Sequence, residues 1–134
     1  MPTTIEVIPP ALLAAIEAKI DDLDPPMRLA LRLMLDAGLR LHEATWARWE
    51  DLTFNGEPLP TIRIPKPTAK NAQPRAVPTT AALRAAIAHA WARRRGPLYV
   101  ATATLAIQNR TGTAPLSERT VQRTVQRIGE ACGL

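Results

Sequence analysis

Six prolines, at positions 58, 60, 65, 67, 74 and 78, fall between Phe54 and Pro78. Each removes a backbone donor and holds φ at about −65°, so no helix can run through this stretch, and a strand there belongs at a sheet edge. Within it TFNGEP carries a turn signal, TIRIP alternates in polarity, and RAVP is a second short extended run. The pattern predicts a small antiparallel β element, with TIRI and RAVP as strands and KPTAKNAQ as an exposed loop between them.

The flanking segments have helical texture. Leu12, Leu13, Ile16 and Ile20 mark one face of a first amphipathic helix, as a 3.6-residue period requires. Asp24 then precedes Pro25 and Pro26, a start signal for a second helix that runs to Gly38 and is apolar around its whole axis, hence central and buried. Gly38 can take the positive φ that stops a helix. Leu41 to Trp49 reads as a short third helix, Thr79 or Thr80 as the cap of AALRAAIAHAWARRR, and Ser117 as the cap of a final helix ending near Cys132 and Gly133. PLYVA is too short to assign to strand or helix. The order predicts an α+β chain, mostly α, with one small antiparallel β-hairpin.

At 134 residues the chain is one domain with a real core. No apolar run approaches a membrane span, and MPTTIEVIPP lacks the basic and apolar blocks of a signal peptide. A cytoplasmic protein is expected. The single cysteine, Cys132, excludes an internal disulfide and leaves no Cys/His cluster of metal-ligand spacing, so neither metal nor cofactor is expected. The net charge is +5, and fourteen of the 17 basic residues are arginine. Planar guanidinium forks suit phosphate, which makes double-stranded DNA the first partner to consider. An Arg-rich codon bias accounts for the same composition.

Three groups of residues carry candidate chemistry. In DAGLRLHEATWARWEDL, Arg40 follows the Gly38 bend. It is either a phosphate clamp or a partner for Glu43, three residues along the same face. In IPKPTAKNAQPRAVP, Lys66 and Lys70 lie on the loop of the β element, where lysines can serve as edge-strand solubilisers. On the last helix Val121, Val125, Ile128 and Cys132 share one side, and Arg119, Arg123 and Arg127 recur every four residues on the other. That stripe is either a track for a DNA backbone, with Ser117 and Arg119 near a phosphate at the helix start, or an ordinary solvated face. Trp46, Trp49 and Trp91 read as core, and His42 and His89 as surface or capping residues.

The first segment resembles box I of the tyrosine recombinase (phage-type integrase) family, TGLR-I-S-E followed by L-R-W-x-D-I. Arg40, Glu43, Arg48, Trp49, Asp51 and Leu52 are in register with it, while Ala37, His42 and Ala47 depart. The second resembles the family's hairpin, IP-x-x-x-T-K-N-x-x-P-x-x-VP, and the third its PLS…A-G-L helix. The resemblance implies that Arg40 is the first catalytic arginine, holding the scissile phosphate, and that Glu43 and Asp51 give structural support. Lys70, with Lys66 as competitor, becomes the acid that protonates the leaving 5′ oxygen. Lys66, Ser117, Arg119 and Arg123 become DNA contacts.

The family reaction also needs a tyrosine nucleophile and a His-x-x-Arg motif, both beyond the A-G-L ending in family order. Tyr99 is the only tyrosine and precedes that point. Residues 1–134 are therefore expected to form a single, partial catalytic domain, without the core-binding domain and the C-terminal His-x-x-Arg/Tyr segment, and inactive alone. Three readings follow: a recombinase fragment that pairs with a complementary fragment, a non-catalytic DNA-binding accessory or competitor, and a small helical protein that self-associates through uncovered apolar surface.

Overall fold

The computed structural model of the chain describes residues 9–64, 74–93, 107 and 116–133. Helices α1 (Pro10–Asp21) and α2 (Pro25–Ala37) both begin on proline, where a missing amide leaves no intrahelical bond unmade. Asp24 occupies the N-cap of α2 but its side chain makes no capping bond, and Pro26 removes one of the two amides, at N2 and N3, that a cap serves. Gly38 ends α2 at φ 70°, and the amides of Gly38 and Leu39 both turn back to the Leu33 carbonyl.

The expected helix from Leu41 to Trp49 is two shorter ones, α3 (Leu41–Thr45) and α4 (Trp49–Leu52). The break has a local cause. Thr45 Oγ1 donates to the His42 carbonyl at 3.2 Å, competing for the acceptor that the next turn needs, and the Ala47 amide closes onto Ala44 at 3.2 Å in a tightened last turn.

The proline-rich region forms two hairpins. Strands β1 (Thr53–Phe54) and β2 (Glu57–Pro58) pair antiparallel across Asn55 and Gly56, both at positive φ (52° and 81°), as a tight hairpin turn requires. Strands β3 (Thr61–Ile64) and β4 (Arg75–Pro78) are the expected TIRI and RAVP, with Thr61 opposite Pro78 and Ile64 opposite Arg75. Ile62 and Ile64 point into the core while Thr61 and Arg63 face out. Thr80 caps α5 (Ala81–Ala92), accepting from the Leu83 amide at 3.0 Å. Ser117 caps α6 (Glu118–Ala131) in the same way, accepting from Thr120 at 3.1 Å. PLYVA and Tyr99 lie outside the described residues.

Helix α2 is central, as expected. Leu29 and Leu33 join Trp49, Leu52, Ile62, Ile64, Leu83, Ile87 and Ile107 in the main core. Leu31, on another side of the same helix, joins Ile20 of α1 and Val121 and Ile128 of α6 in a second one. The final helix departs from expectation at Val125, which is 43% exposed rather than part of its apolar side. Trp49 and Trp91 meet edge to face at 5.1 Å in the main core, whereas Trp46, read as core, is 51% exposed beside His42.

Helix α2 is not apolar around its whole axis as expected: Arg28, Arg32 and Asp36 form a polar side, and Leu35 is 42% exposed. Arg32 is 2% exposed, and its guanidinium bonds Glu17 at 2.7 Å and Asp21 at 3.1 Å on α1, and Asp36 at 3.2 Å one turn along α2. Burial works against its charge, but the bonds to Asp21 and Glu17 and the charge of Asp36 outweigh burial and raise its pKa. Asp36 also accepts from Thr80 Oγ1 at 2.6 Å, so the network runs from α1 through α2 to the cap of α5. Removing Arg32 strips Glu17 and Asp36 of their cation and leaves Asp21 with Arg28 alone, at 3.3 Å. Arg32→Ala is expected to lose about 3 kcal/mol in urea unfolding, below the upper range for a broken buried pair because Glu17 and Asp21 are partly solvated. A loss under about 1 kcal/mol contradicts the assignment.

Candidate phosphate-binding site

The αL turn at Gly38 delivers Arg40 to the N-cap of α3 in extended conformation, with φ −72° and ψ 156°. Its backbone amide donates to Glu43 Oε1 at 2.9 Å, half of a capping box. The reciprocal half is chemically impossible, since a guanidinium has no acceptor. The Glu43 carboxylate is largely shielded, and its main partner comes from strand β4. Arg75 Nη1 donates to Oε2 at 3.0 Å and Nη2 to Oε1 at 2.8 Å, a two-pronged pair.

This geometry bears on the pairing of Arg40 with Glu43 that the sequence left open. Glu43 is engaged by the Arg40 backbone and the Arg75 fork, not by the Arg40 side chain. Among the described residues the Arg40 guanidinium is exposed and has no hydrogen bond or ion pair. The hydrogen bond from Arg75 is the first cause holding the Glu43 pKa below its ordinary value of 4.5. The Arg40 amide bond and the charges of Arg75 and Arg40 add to it and outweigh burial.

Asp51, expected as structural support, is buried in the first turn of α4. Burial is the first cause raising its pKa, with the charge of Glu50 adding to it, while Arg63 and Arg48 act the other way. Asp51 is thus a desolvated carboxylate that the charges of Arg63 and Arg48 act on, and it is not part of the Glu43 pair. Helix α6 packs against α3, and His42 Nδ1 lies 3.9 Å from Glu118 at the start of α6. Ser117, Arg119, Arg123 and Arg127 are all exposed. The Ser117 hydroxyl is occupied by its capping role and by Thr120 Oγ1 at 2.8 Å. Lys66 and Lys70 lie outside the described residues. No group of three or more His, Cys, Asp or Glu side chains placed to hold a metal occurs among the described residues, and none of the described helices is long and apolar enough to cross a membrane.

Sequence reading missed Arg75. It stands in the quoted hairpin segment, but its partner is 32 residues away, and only the register that sets it opposite Ile64 at the head of β4 brings it to α3. Arg32 was more accessible to sequence reading: its i,i+4 spacing to Asp36, and the same spacing between Glu17 and Asp21, are visible in the chain.

Two hairpins edging a helical core, with an exposed arginine set at the bend between α2 and α3, describe an α+β unit of the tyrosine recombinase type. The profile of the phage integrase family matches residues 8–134, and the chain belongs to that family. Among solved structures, it is similar to the XerH site-specific recombinase bound to its difH substrate in a pre-cleavage complex, with 24% identity and a TM-score of 0.68. That match covers 100% of this chain and 38% of the XerH chain, so this chain spans well under half the length of that relative. None of the curated protein sequences matches it.

The Glu43 pair has a pH signature. Because its pKa is depressed in the folded chain, its contribution is complete above 4.5 and disappears as pH falls through the lower folded value. Asp51, raised on folding, has the opposite sign. Glu43→Gln is therefore expected to lose about 1 kcal/mol at neutral pH, a charge-assisted bond discounted for the exposure of Arg75. The gap to the parent chain should close as unfolding is measured at successively lower pH below 4.5. A gap independent of pH contradicts the pairing.

Proposed function

We propose that this chain supplies the phosphate-clamping part of a tyrosine recombinase active site and acts in DNA recombination. The observation that carries the reading is the unpaired, exposed Arg40 guanidinium at a bend whose other side is fixed by Glu43 and Arg75. In this reading Arg40 grips the scissile phosphate of double-stranded DNA and stabilises the charge that builds on it in the transition state. Lys70, or Lys66 in the alternative register, donates the proton to the leaving 5′ oxygen. Ser117, Arg119 and Arg123 track the flanking backbone, and Asp51 gives structural support. Residues 1–134 then act as one partial catalytic domain of an intracellular, DNA-acting protein.

The nucleophile that forms a 3′-phosphotyrosyl bond is not among these residues in this reading, since Tyr99, the single tyrosine, precedes the family's tyrosine position. Residues 1–134 by themselves bind DNA without cutting it, and the His-x-x-Arg motif and the tyrosine that complete the reaction come from outside them. A second reading, a DNA-binding accessory without chemistry, is favoured by the three exposed arginines of α6.

Duplex binding followed by fluorescence anisotropy over a range of salt separates the two. Arg40→Ala is expected to weaken binding about tenfold and to reduce the salt slope by about one, as loss of a single charge-assisted phosphate contact requires. An Arg40→Ala variant that binds like the parent, alongside an Arg123→Ala variant that does not, supports the accessory reading. A nicked suicide duplex is expected to give no covalent adduct, and a tyrosyl adduct formed by this chain alone overturns the division of the active site.

A further inference from the structure

We infer that Arg75 is a positioning residue that keeps Arg40 available: by occupying the Glu43 carboxylate from strand β4, it prevents Glu43 from capturing the Arg40 guanidinium. The consequence for phosphate binding rests on the clamp reading above, whereas the competition itself does not.

Three observations lead there. Glu43 lies three residues after Arg40, a spacing at which opposite charges on a helix pair readily, and its Oε1 is already 2.9 Å from the Arg40 backbone nitrogen. The Glu43 side chain is 9% exposed, too shielded to remain charged without a partner. Three of its roughly four acceptor positions are nonetheless taken from elsewhere, by both prongs of Arg75 at 3.0 and 2.8 Å together with the Arg40 amide, and the Arg75 charge neutralises it.

Without Arg75, the other cation among the described residues whose charge already acts on the carboxylate is Arg40. The exchange needs only a side-chain rotation, and it converts a free guanidinium into a structural one. Arg75 stands at the head of β4, directly after residues 65–73, so the contact that frees Arg40 also ties that end of the hairpin to the start of α3. A lysine at position 75 keeps the charge but cannot occupy both carboxylate oxygens in a plane.

The test reads Arg40 directly. Phenylglyoxal modifies free guanidinium groups, and mass spectrometry of the labelled full chain gives a rate for each arginine. Arg40 is expected to react quickly in the parent, about tenfold more slowly in Arg75→Met, and at the parental rate again in Arg75→Met/Glu43→Gln, where the competing carboxylate has lost its charge. Arg75→Lys should fall between the parent and Arg75→Met. Buried Arg32 serves as the folding control and stays unlabelled throughout.

Unchanged Arg40 labelling in Arg75→Met overturns the inference, and so does slow labelling that the double variant fails to restore. If Arg75→Met exposes Arg32, Arg75→Lys decides: parental labelling of Arg40 there, with Arg32 protected, overturns the competition. Duplex affinity of the same variants separates the two levels. Labelling that follows the expected pattern without a matching change in affinity leaves the competition standing and removes the clamp reading. Parental labelling in Arg75→Met together with weak DNA binding by Arg40→Ala does the reverse.

Discussion

The two-pronged bond between Arg75 and Glu43 joins strand β4 to helix α3 across 32 residues of sequence. Around it the functional face takes its shape. Glu43 holds the backbone of Arg40 by one oxygen and the hairpin by both, so the arginine is fixed at its base while its tip stays in solvent. A clamp for phosphate needs that division between a rigid root and an available charge, because a guanidinium already satisfied by a neighbouring carboxylate must break that bond before it can serve.

Beneath this face the scaffold depends on a second arginine in the opposite condition. Arg32 is fully enclosed by Glu17, Asp21 and Asp36, and through Asp36 its network reaches Thr80, the cap of α5. Helix α2 is thereby tied on its polar side to α1 and α5, while its apolar sides contribute to both hydrophobic clusters. Its C-terminus ends at Gly38, and the orientation of that end sets where Arg40 emerges. The chain thus uses two arginines two turns apart, one as a buried cross-link and one as an exposed tip, and only their surroundings separate the roles.

What could be read from the chain was local. Gly38 marked the stop of α2, and TIRI, RAVP and Ser117 each matched an observed strand or cap, since turn and cap chemistry acts within a few residues. The break between α3 and α4 was local too, but it hung on the Thr45 hydroxyl choosing the His42 carbonyl, which propensity does not reveal. Trp46 read as core by its residue type and Val125 as part of an apolar helix side by its spacing, yet neither is covered by a neighbouring element. Arg75 was illegible for a different reason. Its role exists only once the register of β3 and β4 and the approach of α3 are both set, and no spacing in the sequence encodes that meeting.

Membership of the phage integrase family and the fold shared with part of XerH give the exposed arginine its context. The central claim is that the Arg40 guanidinium, and not merely the basic face of α6, receives a DNA phosphate. The Nε–Hε resonances of the arginines in a ¹H–¹⁵N spectrum, followed while a short duplex is added to the full chain, report on it directly. The Arg40 resonance is expected to shift and become protected from exchange with water, while that of buried Arg32 stays where it was. An Arg40 resonance that does not move while those of Arg119 and Arg123 do would contradict the account.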